Sequence, residues 1–286
     1  MLDMDSVAVV KYGRDIKSTL ENGLELIGGF GEVRAPVLIK PNICAERDGT
    51  GHSLTDINVV KALVSLLLEA NARLPIRIIE TDSKDKYADD AFAKFGYDQY
   101  CDEMKRFGFD VSTLNLSRTP LVTVPFEGRY FKNPEIPEVI VEPHYFISVA
   151  IAKTHYSAYI TGALKNLFGV LPKKEKEIYH PRIQDVIADL AMIVRPELNI
   201  IDARVGVEGW DGPKTHRIGA FILGRQPVSV DAVMTLIMGL DPNDIGHLVY
   251  SKERNLGSFS PPVVGESIES VKVQFNVPPI TVYSSS

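Results

Sequence analysis

Between Ile151 and Gly169 the sequence reads IAKTHYSAYITGALKNLFG, placing Lys153, His155, Lys165 and Asn166 within one short stretch. Apolar neighbours (Ala152, Ile160, Ala163, Leu164, Leu167, Phe168 and Val170) mark it as a packed segment rather than a solvated face. Taking an ammonium out of water costs roughly several kcal/mol unless it is paired, so lysines in such a segment need a reason. An anionic ligand held by Lys153, His155 and Lys165 is one. The alternative is a pair of lysines that snorkel to the surface beside a hydrogen-bonded core histidine.

The elements around this stretch must position it. Lys153, Thr154 and His155 follow the apolar run Tyr145 to Ile151, where a buried strand should end, and a helix-like segment is expected to carry Gly162, Lys165 and Asn166. Other apolar runs end on useful residues too. Val37 to Lys40 leads to Pro41 and Asn42, Ile76 to Ile79 delivers Glu80 and Asp82, and Leu198 to Ile201 ends at Asp202. Between the first two, Ile57, Val60, Val64, Leu67 and Leu68 recur at helical spacing. This strand–helix–strand rhythm predicts an α/β fold, a mixed and mainly parallel sheet flanked by helices. Ligands of open α/β sheets lie beyond the carboxyl ends of the strands, so these residues would share one rim.

The rest of the chain reads as scaffold. A strand is expected at Ser6 to Val10, a helix at Asp15 to Ile27, and two short helices around Gly96. Prolines between Leu114 and Pro143 suggest a peripheral strand pair and the boundary between two lobes of a single family domain. The run PKKEKE (172–177) reads as a solvated, mobile loop ahead of His180 and a helix at Ile183 to Val194. Gly206 to Pro213 is a lid or a rigid turn. A strand at Ala220 to Leu223, helices at Val230 to Leu240 and Asp244 to Arg254, and a late strand at Val271 to Phe275 complete the expectation.

Several chemistries compete for these residues. Gly49, Thr50 and Gly51 precede a helix that starts near Thr55, where backbone amides could cradle an anion, or simply turn the chain. Neither a P-loop lysine nor a dinucleotide-binding GxGxxG accompanies them. His155 and His180, with Glu80, Asp82 or Asp202, are candidates for a mononuclear divalent-metal site, although no HExxH spacing is present. Lys153 or Lys165 could serve as a nucleophile or base. Ser157 lacks a nucleophile-elbow context, which argues against a serine hydrolase.

Composition narrows the partners. A net charge of −6 and a pI near 5.6, with no long basic tract, argue against nucleic acid. No apolar run approaches the length of a membrane span, and Met1 to Val10 does not read as a secretion signal, so a cytoplasmic protein is expected. Cys44 and Cys101 are too few for a cysteine-ligated iron–sulfur cluster.

Lys40-Pro41-Asn42, Gly51 and Thr55, together with Lys153-Thr154-His155, Thr161 to Asn166 and Phe168-Gly169, resemble the motifs of the domain of unknown function 362. His180, Asp202, Gly212-Pro213, Val230 to Val233 and Met238-Gly239 match later positions, and the resemblance runs from about residue 7 to residue 258. It implies a redox association, since many members carry ferredoxin-type cysteine clusters. This chain departs there, having no CxxCxxC run.

The expectation is an enzyme acting on a small anion. Lys40, Asn42, Gly51, Thr55, Lys153 and Asn166 would line its site, and Lys153 and Lys165 would hold the carboxylate or phosphate. His155 and His180 would move a proton near neutral pH, oriented by Asp202 or Glu80. The alternatives are an accessory protein serving an iron–sulfur partner and a purely structural lysine–carboxylate network.

Overall fold

The computed structural model describes residues 4–277. Eleven strands occur among them: β1 (Val7–Lys11), β2 (Val37–Pro41), β3 (Ile76–Glu80), β4 (Val111–Asn115), β5 (Leu121–Thr123), β6 (Glu135–Pro137), β7 (Tyr145–His155), β8 (Tyr159–Thr161), β9 (Leu198–Glu208), β10 (Lys214–Gly224) and β11 (Val263–Gly265). Nine of them form one sheet in the order β11-β1-β10-β9-β7-β2-β3-β4, with β8 paired to β7. From β9 to β4 every neighbour is parallel, while β10 runs antiparallel to β9 and β1.

The period of two along each strand separates two cores. In β7, Phe146, Ala150 and Ala152 join one core, and Tyr145, Ile147 and Val149 join the other. Helices α1 (Ile16–Leu26), α2 (Ile57–Ala70), α3 (Ala88–Lys94) and α4 (Tyr97–Arg106) cover one face. On the opposite face lie α5 (Glu138–Val141), α6 (Ala163–Asn166), α7 (Ile183–Val194), α8 (Pro227–Ile237), α9 (Gly246–Lys252) and α10 (Ile268–Val271).

Local chemistry sets these boundaries. The carboxylates of Asp15 and Asp56 accept from Ser18 N and Asn58 N and so cap α1 and α2. Gly96, at φ 80°, separates α3 from α4. Two connections from the middle of the sheet diverge: α2 returns β2 to β3 on one face, and α7 returns β7 to β9 on the other. The crevice at the carboxyl ends of β2 and β7 is therefore a topological switch point.

The structure corrects several expectations. The segment after β7 is a hairpin into β8, followed by a single helical turn and a 3-10 turn at Leu167–Val170. β9 and β10 extend far beyond the expected runs, and their pairing from Asn199 with Gly224 to Glu208 with Lys214 makes them one hairpin. Asp202 therefore lies inside a strand rather than at its end. α8 starts at Pro227, which puts Asp231 within the helix. β4, whose pattern is mostly polar, and the short edge strand β11 have no counterpart among the expected strands.

No strand forms at 271–275. Val271, Val273 and Phe275 do alternate, but Val273 N and Phe275 N donate to Ile237 O and Met238 O at the end of α8, not to the sheet. The expected peripheral strand pair is the β5–β6 ribbon, which packs Ile136 against the same core as α7.

That ribbon reaches the site through one carboxylate. Asp189, fully buried in α7, accepts from Arg129 N (2.9 Å), Tyr130 N (2.7 Å) and Phe131 N (2.9 Å), and Arg254 Nη1 lies 2.8 Å away. It holds Tyr130 and Phe131 against Tyr179, which in turn meets Phe168 edge-on. Asp189→Ala would strand three amides and a guanidinium, and we expect a loss of about 3–5 kcal/mol in urea unfolding.

Candidate functional site

A cleft of about 470 Å³ opens at the switch point. β2 supplies Lys40, with Asn42 just beyond it, β3 supplies Glu80, and β7 supplies Lys153 and His155. The turns after β8 add Lys165, Asn166, Phe168 and His180. Seven lysines line the cleft (40, 84, 86, 153, 165, 174 and 176) against three carboxylates (Glu80, Asp85 and Glu177).

At its floor lies a buried charge cluster. Lys40 Nζ donates to Glu80 Oε2 (2.6 Å) and Pro41 O (2.7 Å), and Lys86 Nζ lies 3.5 Å from Glu80 Oε1 while donating to Thr81 O. Burial alone would raise the Glu80 carboxyl, but Lys40, Lys86 and Lys176 outweigh it and hold the group below its ordinary value. Burial pulls the Lys40 ammonium below its usual value, with Glu80 opposing. Gly169 permits this packing, since a Cβ there would fall 2.5 Å from Lys40 Cε.

Lys153 is tied into the wall. Its Nζ donates to Ser53 O (2.8 Å), Asn42 Oδ1 (3.1 Å) and Trp210 O (3.2 Å). Asn166 Nδ2 bonds Lys40 O (2.9 Å) and Ser148 Oγ (3.0 Å), and its Oδ1 accepts from Asn42 Nδ2. These amides spend their capacity on fixing β2 against β7.

Lys165 differs. Among the described residues its Nζ makes no hydrogen bond or ion pair, and it rests over the Phe168 ring at 4.1 Å from the centroid. Burial, then Lys153, push its pKa down to about 7. Lys176 is also pushed to about 7, by burial and Lys86, although it donates to Thr81 Oγ1 (2.5 Å) and Asp82 O (2.8 Å). α6 itself is held by Asp231, whose carboxylate accepts from Ala163 N (2.6 Å) and Leu164 N (2.9 Å) where Gly162 leaves room.

His155 is buried, and its Nδ1 lies 3.1 Å from Ser157 N and 3.2 Å from Ala158 N. Two amide donors on Nδ1 leave the proton of the neutral ring on Nε2. Burial, then Lys165 and Lys153, set its pKa well below the ordinary histidine value. His180 stacks on Phe168 and is lowered by burial and by Lys165.

The expected site residues thus divide. Lys40, Asn42, Lys153, His155, Lys165, Asn166 and His180 line the cleft together with Glu80. Asp202 does not: Arg204 binds both of its oxygens and also reaches Asp56. Neither Asp202 nor Glu80 touches His155, which its own turn orients. Asp82 caps the next helix through Ala88 N and bonds Asn115. Thr55 links Asn42 N to Val149 O.

The Gly49–Gly51 loop is occupied from within. Asp48 accepts from the amides of Thr50, His52, Ser53 and Leu54, and Asp211 accepts from Gly49 N. Of the metal candidates, Glu80 is committed to lysines and Asp82 to its cap, and among the described residues no group of three or more His, Cys, Asp or Glu is disposed around a metal position. The 206–213 segment is a hairpin tip anchored by Gly209 N to Thr154 Oγ1 and by Asp211, and Trp210 closes one side of the cleft.

Sequence reasoning missed Lys84, Lys86, Lys174 and Lys176. The run 172–177 reads as solvated, yet Lys176 reaches the cleft floor, Lys174 packs on the Tyr87 ring and Glu177 pairs with Lys84. An alternating basic run bounded by Pro172 and the buried Tyr179 is the only local hint.

The model of the domain of unknown function (DUF362) matches residues 37–235, and the chain belongs to this family. A thylakoid-associated protein of Synechocystis sp. (strain ATCC 27184 / PCC 6803 / Kazusa) is 26% identical over 247 residues, covering 80% of this chain and 71% of that protein. The lactate racemase apoprotein of Thermoanaerobacterium thermosaccharolyticum matches at a TM-score of 0.47 and 12% identity, over 84% of this chain. A Thermotoga maritima protein matches at 0.43 and 13%, over 78%. The chain spans 59% of the length of each of these two solved chains.

Glu80→Gln removes the carboxylate that Lys40 and Lys86 share. We expect a cost of about 3–5 kcal/mol at pH 7 in denaturant unfolding. The folded pKa of Glu80 is lowered, so wild type holds this contribution above the unfolded value and loses it on acidification. The gap between the two proteins should therefore narrow as pH falls through the folded value.

Proposed function

We propose that this member of the DUF362 family is an enzyme that binds a small anionic substrate, a carboxylate or a phosphate, in the lysine-lined cleft. The observation that carries the reading is the excess of seven lysines over three carboxylates at one cluster of strand ends, in a chain whose net charge is −6. A concave site with a surplus of one sign of charge concentrates the opposite ion. Lys165 and Lys176 meet the anion, while Lys40, Asn42, Lys153 and Asn166 fix the walls that shape it.

His155 serves as a fixed donor through Nε2 to a substrate oxygen, because its Nδ1 is taken by two amides. His180, less buried and beside Lys165, takes the proton-moving role. An accessory role beside an iron–sulfur partner ranks behind this reading, since lysines gathered inside a cleft suit a small anion better than a protein surface.

Location is part of the same proposal. Among the described residues no helix is long and apolar enough to cross a membrane, and we take the chain to work in the cytoplasm. Fractionation with membranes would instead move it toward the behaviour named for its thylakoid-associated relative.

Calorimetry with inorganic phosphate, pyrophosphate and oxalate tests the reading. Lys165 and Lys176 are held at about 7 in the unliganded cleft. An anion stabilises their protonated forms, so binding should take up protons, and affinity should fall as pH rises through about 7. Lys165→Met should weaken binding by roughly tenfold or more, the equivalent of one lost charge-assisted contact. No binding heat from any of the three anions between pH 6 and 8 would end the proposal.

A further inference from the structure

The lysines of the cleft are not equivalent. Lys40, Lys86 and Lys153 each donate to fixed protein oxygens, and Lys176 donates to Thr81 Oγ1 and Asp82 O with one hydrogen left for the cleft. Lys165 Nζ has the Phe168 face and no acceptor among the described residues. Among the described residues the charges that bear on it are the Lys153 and Lys40 side chains, with the Cys44 thiol acting in the opposite sense. An uncharged amine relieves that repulsion and leaves a lone pair facing the cavity.

We propose that Lys165 Nζ is a nucleophile that forms an imine with the carbonyl carbon of a small aldehyde or 2-oxo compound bearing a carboxylate or phosphate. The inference rests on the anion-binding reading and names its substrate class. The nitrogen lone pair forms the new C–N bond as the carbonyl π pair moves onto oxygen, and an amine proton passes to that oxygen to give the carbinolamine. The second amine proton leaves with the hydroxyl as water, so no further reactant is required. His155 Nε2–H is the uncharged donor available to the carbonyl oxygen, and Lys176 is the cation available to the anionic end. A Lys165 pKa of about 7 keeps a large fraction of the amine free near neutral pH, where an ordinary lysine is almost wholly protonated.

The 286-residue chain is incubated at pH 7.5 with glyoxylate or pyridoxal 5′-phosphate, reduced with sodium borohydride and mapped by peptide mass spectrometry. We expect the Lys165 peptide to gain the reduced adduct at least ~10-fold faster than any other lysine peptide. Inorganic phosphate should slow that labelling, and uncharged glycolaldehyde should label Lys165 more slowly than glyoxylate. Lys165→Arg should abolish the fast adduct.

Labelling spread evenly over the lysines, or fast labelling that persists in Lys165→Arg, overturns the proposal. The wild-type map decides alone if the variant does not fold. Phosphate binding by calorimetry with Lys165 unlabelled sinks the imine and leaves the anion reading standing. Fast Lys165 labelling that phosphate neither blocks nor accompanies with binding heat supports the nucleophile and sinks the anion reading.

Discussion

A single buried carboxylate, Glu80, makes this site possible. Three lysine ammonium groups are drawn toward it at the carboxyl ends of β2 and β3, in surroundings where an unpaired cation would cost several kcal/mol by rough estimate. Its two oxygens accept from Lys40 Nζ and from Thr81 N, so the charge is fixed from both sides. Gly169 carries no side chain because Lys40 passes through that space. The floor of the cleft thus gathers three lysines around one carboxylate, and the cations of the cleft are in surplus.

That surplus shapes the chemistry. Charges a few ångströms apart in a partly dry cleft repel far more strongly than in water. The cleft relieves this in two ways: some ammonium groups are wrapped in carbonyl and amide oxygens, as Lys153 is, and others are pushed toward the neutral amine, as Lys165 is. An arriving anion reverses the second device, and an electrophile exploits it. His155 fits the same logic, since a buried ring flanked by cations stays neutral and presents a hydrogen rather than a charge.

The opposite layer uses carboxylates to hold backbone instead of lysine. Asp231 caps the turn that carries Lys165, and Asp189 gathers the loop whose aromatics support Phe168 through Tyr179. Each sits where a glycine, Gly162 or Gly128, leaves room for close approach. The position of Lys165 therefore depends on helices α7 and α8, which contribute no side chain to the cleft.

Much of the scaffold was legible in the sequence. The apolar runs before Lys40, Glu80 and Lys153, and the helical period from Ile57 to Leu68, are local patterns that burial imposes directly, so the parallel sheet and the convergence of these strand ends could be read. Local pattern could not say where β9 stops. Its hairpin with β10 carries it past Asp202, and Arg204 two residues on claims that carboxylate. Nor could it say that the charged run 172–177 folds back onto Glu80, or that 271–275 pairs with a helix end instead of a strand. The sequence by itself determined that Lys40, Glu80 and Lys153 reach the rim, because the apolar runs before them fix where those strands deliver the chain. Only the tertiary structure decided which cation is paired and which is left over, because pairing in a buried cluster is settled by groups distant in the chain competing for the same few acceptors.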